Sequence, residues 1–357
     1  MPTKAIFHVI TTIERGGAEN AVMTLAIAQA KTGLDVTVVP LKGNPELKNI
    51  LELNGVHVNL KALNKNTIIQ INLLKSFVQD DSIIHAHLPR AESLCRLAFG
   101  QGRYFITRHN SEAFFPNAPQ FVSRLLSRWV TKDAKVIAIS EAVLRFLNEN
   151  EEFHSSSLCK VIYYGYEPRN EISTRRTTDR TSDHQVIRLG TISRLTDQKN
   201  LALLIRLAFE LSSKGFDLET FIVGSGPLER ELKLLSASLG MEQKIHFLGR
   251  RTEVLQFLSS LDLFLLTSKY EGFGLVLLEA MDAGKPIIAS NTSSIPEVLG
   301  QNHPGLFDSG SLDSLMEKTL LFLNSPQIRT EALNAQETRL HYFSVSKYLK
   351  NHEMFYE

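Results

Sequence analysis

Two carboxylates stand eight residues apart in Glu271-Gly272-Phe273-Gly274-Leu275-Val276-Leu277-Leu278-Glu279. The apolar run Leu261 to Thr267 before them reads as a buried strand. Glu271 then falls in the following loop, and Glu279 on the helix that the glycines start. Gly272 and Gly274 let the backbone come close to a ligand. The helix N-terminus offers N–H groups and a positive dipole end to a phosphate. Glu279 can accept hydrogen bonds from a ribose diol, and Glu271 from sugar hydroxyls. The same spacing also fits a capped helix with two solvated acids. Earlier in the chain, Gly190-Thr191-Ile192-Ser193-Arg194-Leu195-Thr196-Asp197-Gln198-Lys199-Asn200 sets Arg194 and Lys199 in a loop entering a helix. Two cations there can neutralise a diphosphate, arginine as a planar fork and lysine as a point charge. Taken alone, that segment reads as an ordinary exposed helix start.

His85-Ala86-His87 ends a strand at 82–86, with both rings on one face. The pair can begin a metal site, but the sequence brings no third ligand to it, and strand-end packing explains it as well. In residues 119–132 (PQFVSRLLSRWVTK), Phe121, Leu125 and Trp129 recur at i, i+4, i+8, beside a second stripe of Arg124, Arg128 and Lys132. A basic amphipathic helix with a tryptophan suits an anionic lipid surface. The alternative is a helix packed on its sheet with a solvated basic face.

The elements that must hold these residues alternate along the chain. Strands are expected at 4–11, 35–41, 55–60, 82–86, 103–107, 135–139 and 159–163, with helical patterns between them. The rhythm breaks in the polar stretch 167–185 and restarts at 186–191. Helix 198–213, strand 218–223, helix 227–239, strand 244–247, helix 251–258, strand 261–266, helix 274–283 and strand 286–290 follow, then helices at 311–324 and 327–338. This is the pattern of parallel sheets covered on both faces. A chain of 357 residues suits two such domains. We expect an N-terminal Rossmann-like domain over 1–165, a linker over 166–185 and a second Rossmann-like domain over 186–340. Two doubly wound domains imply a cleft, with ligands beyond the carboxyl ends of the strands.

Hydrophobic residues make up 43% and charged residues 22%, which excludes a disordered or fibrous chain. The net charge of +1 gives no argument for nucleic acid. Residues 1–165 carry eighteen basic and fourteen acidic side chains, and 166–357 carry twenty-one and twenty-four, so any anionic surface would meet the first half. Two cysteines, Cys95 and Cys159, form no disulfide framework and point to a reducing compartment. The apolar run before Thr11 is too short for a secretory signal, and no uncharged run reaches the roughly 18 residues of a membrane span. A cytoplasmic chain is expected, with any membrane contact peripheral at the inner face.

Taken in order, these residues resemble the retaining glycosyltransferases of family 4, with the GT-B fold. The matching pieces are Gly16-Gly17-Ala18-Glu19, Ser193-Arg194-Leu195 with Lys199-Asn200, Gly224-Ser225-Gly226-Pro227 and Phe247-Leu248-Gly249. They continue with Ser268 to Gly274, Glu279, Ala280 to Pro286, and Pro296-Glu297-Val298. The resemblance implies a nucleotide-sugar donor in the C-terminal domain and a glycan or lipid-linked acceptor in the N-terminal one. Arg194 and Lys199 would hold the diphosphate and Glu279 the ribose. Glu271, with the backbone of Gly272, Phe273, Gly274 and Leu275, would hold the sugar. Gly224 and Arg250 would border the nucleotide, and Gly16 and Gly17 would let the first loop approach acceptor and donor. His109, in Thr107-Arg108-His109-Asn110, would orient the sugar or share in proton transfer. His87 and Arg90 would lie near the acceptor. The last stretch, 341–357, resembles the helix that crosses back to the N-terminal domain.

The resemblance implies no metal and no cofactor besides the nucleotide sugar as co-substrate. The chain has no Asp-x-Asp pair, and two cations with a helix dipole can do a metal's electrostatic work. A UDP-sugar or GDP-sugar donor and retention at the anomeric carbon are expected, in surface polysaccharide, lipopolysaccharide or glycoconjugate synthesis. Three departures bear on donor choice: Ser193 where glycine is common, Tyr163-Tyr164-Gly165-Tyr166-Glu167 for Pro-Asn-Gly-Val-Asp, and a short loop at Gly305 to Gly310. A sugar-nucleotide epimerase or soluble glycan synthase of the same fold is the alternative, and a non-catalytic nucleotide-sugar-binding protein the second.

Overall fold

The computed structural model describes residues 5–78, 81–116, 118–168 and 186–357. Most of the expected linker, residues 169–185, lies outside them. The chain divides into two compact units, Met1–Glu167 with Phe343–Glu357, and Pro168–Tyr342.

Among the described residues, the first unit has one parallel sheet of seven strands: β1 (Ile6–Ile10), β2 (Val36–Pro40), β3 (His57–Val58), β4 (Ile83–His87), β5 (Phe105–Arg108), β6 (Lys135–Ala138) and β7 (Leu158–Val161). Their order is β3-β2-β1-β4-β5-β6-β7, so the winding reverses between β1 and β4. Helices α1 (Gly17–Lys31), α2 (Lys48–Leu53), α3 (Thr67–Phe77), α4 (Pro89–Phe99), α5 (Gln120–Thr131) and α6 (Glu141–Glu149) fill the crossovers. One sheet face is apolar: Ile84, Ala86, Ile106 and Val136 pack with Leu74 of α3 and Leu94 of α4. The other carries His8, His85, His87 and Thr107, which meet α1 and the last helix, α14 (Val345–Tyr356). Gly165 is where α14 seats: a Cβ there would lie 2.7 Å from Tyr348 Cβ and 2.9 Å from Val345 Cα.

The second unit repeats the plan. Strands β8 (Ile187–Ile192), β9 (Leu218–Val223), β10 (Ile245–Phe247), β11 (Leu263–Leu266), β12 (Ile287–Ser290) and β13 (Leu306–Phe307) are parallel in the order β10-β9-β8-β11-β12-β13. Helices α7 (Leu201–Ser213), α8 (Glu229–Ser238), α9 (Val254–Ser259), α10 (Leu275–Asp282), α11 (Ile295–Leu299), α12 (Leu312–Asn324) and α13 (Pro326–Tyr342) surround them. Its core is almost wholly apolar, with Leu204, Ile205, Leu265, Ile288, Phe307 and Phe322 at its centre.

The doubly wound α/β plan anticipated from the alternation is therefore the one observed. The differences are local. Helix α7 starts at Leu201 rather than 198, because Asp197–Lys199 forms a single 3-10 turn and Asn200 is left-handed, at φ 47°. Elements α11 and β13 were not anticipated; five and two residues are too few for a periodicity to show.

Candidate functional site

In the second unit the strand order reverses between β8 and β11, and the loops leaving these two strands interlock. Lys269 N donates to Gln198 O at 2.8 Å, Gln198 Nε2 to Tyr270 O at 3.0 Å, and Thr267 Oγ1 to Lys199 O at 3.0 Å. That frame delivers Lys199 Nζ to within 2.6 Å of Glu271 Oε1, with the two side chains 13% and 7% exposed. Ser268 Oγ donates to the same carboxylate oxygen at 2.7 Å. The Glu271 carbonyl accepts from Ser293 Oγ (2.7 Å) and Ser294 Oγ (3.0 Å), which pins the loop from the far side. Arg194 is exposed, and its Nη2 donates to Gln198 Oε1 at 3.1 Å. Arg194, Lys199 and Glu271 are thus tied into one network.

Gly224 shows why glycine stands at its position. Its φ is +135°, and a Cβ would fall 1.8 Å from the Ser193 carbonyl oxygen. The β9 loop lies directly on the loop that carries Arg194. Gly224 N also donates to Gly249 O at 2.9 Å, joining the β10 loop with exposed Arg250 to the same edge. Helix α10 opens on Gly274 as its N-cap. Phe273 is 2% exposed, so its ring anchors the loop in the core and only backbone is offered there to a ligand. Leu275 and Glu279, half-buried, lie in the first two turns of α10. A neutralised buried pair, an exposed arginine and a helix N-terminus make a setting that favours a diphosphate dianion.

Gly16, Gly17 and His109 belong to the first unit. Gly16 caps α1, Gly17 is its first residue, and Thr12 Oγ1 donates to Glu19 Oε1 across that turn at 2.7 Å. His109 follows β5, and both its ring nitrogens are engaged: Nδ1 with the Tyr164 hydroxyl, and Nε2 with His87 Nδ1 at 3.1 Å. His87 Nε2 lies 3.0 Å from His8 Nδ1, and His8 Nε2 lies 2.7 Å from Gln29 Oε1. His85 bridges Tyr356 Oη (2.8 Å) and Thr107 Oγ1 (2.7 Å). His8 is the third imidazole that the His85–His87 pair lacked in the sequence: ring nitrogens of the three lie within 4.8 Å of one another. Its one sequence signal is a polar residue inside the apolar strand Ile6–Ile10. Gln29, Tyr164 and Tyr356, far apart in the chain, gave none.

Burial keeps these rings neutral. It pushes His8 down to about 4, and His109 and the α14 residue His352, whose Nδ1 meets Tyr348 O at 2.9 Å, down to about 3. Burial, then the neighbouring histidines, drive His85 and His87 well below the ordinary 6.5. Nearby, Arg108 Nε pairs with Glu92 Oε2 at 3.0 Å, both buried. Burial still pushes the Glu92 carboxyl up to about 7 against that pairing. Arg90 donates to Gln70 Oε1 at 2.8 Å.

Helix α5 faces the protein with its small residues. Phe121 (59%), Leu125 (63%) and Trp129 (38%) are exposed, while Ser123, Ser127, Val130 and Thr131 face the protein. The apolar stripe therefore does not pack the helix on its sheet. Arg124, Arg128 and Lys132 flank it, half-buried. Among the described residues no helix is long and apolar enough to cross a membrane.

Residues 15–169 match the family described as Glycosyltransferase Family 4, and residues 178–339 match Glycosyl transferases group 1. An "Uncharacterized glycosyltransferase" of Haemophilus influenzae is 25% identical over 336 residues, covering 90% of this chain and 91% of its own. The lipopolysaccharide core biosynthesis mannosyltransferase LpsB of Rhizobium meliloti is 28% identical over 155 residues, 41% of this chain and 44% of its own. The crystal structure of Anabaena HepE in complex with UDP and glucose covers 98% of each chain with a TM-score of 0.81 at 21% identity. The same two-unit fold recurs in the crystal structure of TarM, with a TM-score of 0.81, 14% identity and 99% of each chain covered.

Proposed function

Since the chain belongs to glycosyltransferase family 4 and has the GT-B fold, we propose that it moves a hexosyl unit from a nucleotide sugar to a hydroxyl of a glycan or lipid-linked acceptor. The donor is a UDP-sugar in first place and a GDP-sugar in second, the anomeric configuration is retained, and no metal takes part. The observation that carries this reading is the buried Lys199–Glu271 pair, framed by the β8 and β11 loops beside the head of α10.

The roles follow from charge. As the bond between the anomeric carbon and the diphosphate oxygen breaks, negative charge builds on the leaving group. Lys199 is already fixed by Glu271 and needs little reorganisation to meet it. Arg194 adds a planar fork, and the α10 N-terminus adds its N–H groups. Glu271 takes the sugar hydroxyls, Glu279 the ribose, and Arg250 borders the base. Double displacement would need a carboxylate on the face opposite the leaving group, and none is assigned here. In the front-side alternative the acceptor oxygen bonds to the anomeric carbon on the face the diphosphate leaves. The acceptor's proton passes to the departing diphosphate oxygen. Positioning and charge stabilisation then carry the rate. His109, neutral and with both ring nitrogens already held by His87 and Tyr164, meets the sugar through its ring edge.

HepE's complexes with UDP and with UDP-glucose support a uridine donor. LpsB, and the amylovoran biosynthesis glycosyltransferase AmsK of Erwinia amylovora, support a surface polysaccharide or lipopolysaccharide product. The exposed α5 stripe with its basic flanks supports peripheral docking to an anionic membrane on the cytoplasmic side. The test is a thermal-shift screen against UDP, GDP, ADP and their sugars, since a bound donor stabilises the fold by mass action. A shift with UDP-sugars that Arg194→Ala and Lys199→Ala abolish is expected. A shift with GDP-sugars alone overturns the uridine assignment, and no shift with any of them overturns the donor site.

A further inference from the structure

The buried histidines of the first unit form a chain with one direction. Gln29 Oε1 can only accept, so His8 Nε2 carries a proton. A neutral His8 then keeps its lone pair on Nδ1 and accepts from His87 Nε2–H at 3.0 Å. The step repeats: His87 Nδ1 accepts from His109 Nε2–H at 3.1 Å, and His109 Nδ1 accepts from the Tyr164 hydroxyl. Beyond Gln29, its amide Nε2 donates to Tyr356 Oη at 3.4 Å, Tyr356 donates to His85 Nδ1, and His85 Nε2–H donates to Thr107. Each donor along the chain meets an acceptor. A second proton on any ring would set two donors against each other in a buried site.

We propose that His8, His87 and Gln29 are positioning residues for His109: the chain holds the His109 ring in a single tautomer, with its proton on Nε2 and its Nδ1 closed by Tyr164. The functional weight of this rests on His109 lying beside the sugar. The chain does not export protons, because it passes through an amide oxygen that is a very weak base. At the other end Tyr164 is 3% exposed. A metal held by His8, His85 and His87 would need lone pairs on both His8 Nδ1 and His87 Nε2. In the chain one of these atoms carries a proton, and their 3.0 Å separation is that of a hydrogen bond. Through Tyr356 and Gln29, the last turn of α14 also helps to set the His109 ring.

The experiment is two-bond 1H–15N spectroscopy of the full chain with ring-15N histidine, with His109 assigned from the His109→Gln variant. A single Nε2–H pattern for His109 near pH 7.5 is expected. Gln29→Met removes an acceptor that never touches His109, yet it should replace that pattern with an averaged or Nδ1–H one. If Gln29→Met does not fold, His8→Leu serves, with the same loss expected, because it removes the acceptor that fixes the proton on His87 Nε2. An averaged or Nδ1–H pattern in the parent chain, or no change in the variants, overturns the proposal. So does a stoichiometric transition metal in protein purified without chelator, which would give the three histidines to the metal. The spectra need no substrate, whereas turnover of UDP-glucose by His109→Ala tests the residue's place beside the sugar, so the two readings fail separately.

Discussion

The two units share a winding and differ in what lies at the reversal point. In the second, the switch strands β8 and β11 put Ile187, Leu189, Leu263 and Leu265 into the core, and the charged candidate groups sit in loops beyond their ends: Arg194, Lys199 and Glu271, with glycine-rich backbone. In the first, the switch strands β1 and β4 carry polarity within the sheet, as His8, His85 and His87. A charged site at the solvent edge can be built by any fold with an apolar core. A neutral polar site inside the sheet stays neutral only while every donor has its acceptor and the pH stays high enough.

That contrast has its largest expected consequence in acid. His8, His85, His87, His109 and His352 are buried and stay neutral when folded, but titrate near 6.5 once unfolded. Below pH 6.5 the unfolded state therefore binds more protons, and stability falls as the pH falls. For His8 the loss continues down to about 4, and for His352 to about 3. Each histidine costs about 1.4 kcal/mol per pH unit. Glu92, pushed up to about 7, works the other way and offsets one of them down to its ordinary 4.5. The net is four protons, or about 5–6 kcal/mol per pH unit. In the second unit burial pushes His303 down to about 4. Hydrogen exchange read by mass spectrometry, peptide by peptide, should show the first unit opening between pH 6.5 and 5 while the second stays protected. Equal loss in both would break the comparison.

The next effect lies in the second unit. Lys199→Ala should lower turnover about 10²–10³-fold, the scale of losing a preorganised electrostatic contact to a leaving group. Circular dichroism should still show a folded chain, because Glu271 keeps its Ser268 hydrogen bond. Turnover close to the parent's would remove Lys199 from the diphosphate site. Gly224→Ala comes third. With φ at +135° and a Cβ 1.8 Å from the Ser193 oxygen, the two loops must part, at a cost of about 3 kcal/mol. Exchange protection should drop in the second unit and remain in the first.

The same contrast explains what the sequence could and could not tell. Both sheets were legible, because buried parallel strands are short apolar runs set off by turns, and Val36–Pro40 or Leu263–Leu266 can be little else. The second unit's candidate site was legible because its parts are contiguous and its glycines are forced by backbone contact, as at Gly224. The histidine chain was not. Its members come from β1, α1, β4, the β5 and β7 ends and α14, and Gln29 to Tyr356 is a contact across nearly the whole chain. Local periodicity carries no trace of such a pairing; the sequence singled out His85 and His87 on one strand, and His109 only through the family resemblance.

Helix α5 gives the smallest expected effect on folding and separates apolar residues that serve the core from those that do not. The i, i+4, i+8 stripe would ordinarily be read as the buried face. Here Ser123 and Ser127 are buried, and Phe121 and Leu125 are 59% and 63% exposed. A Phe121→Ser, Leu125→Ser double variant should therefore change stability by no more than about 0.5 kcal/mol, measured as the urea midpoint of the first unit. An equivalent loss at buried Leu94 would cost several kcal/mol. Binding to vesicles rich in anionic lipid should fall several-fold in the same double variant, measured by co-sedimentation, because the stripe's removed apolar area is what would enter the headgroup layer. Unchanged vesicle binding would free this stripe of any membrane role. A large loss of stability would mean that it packs against the protein after all.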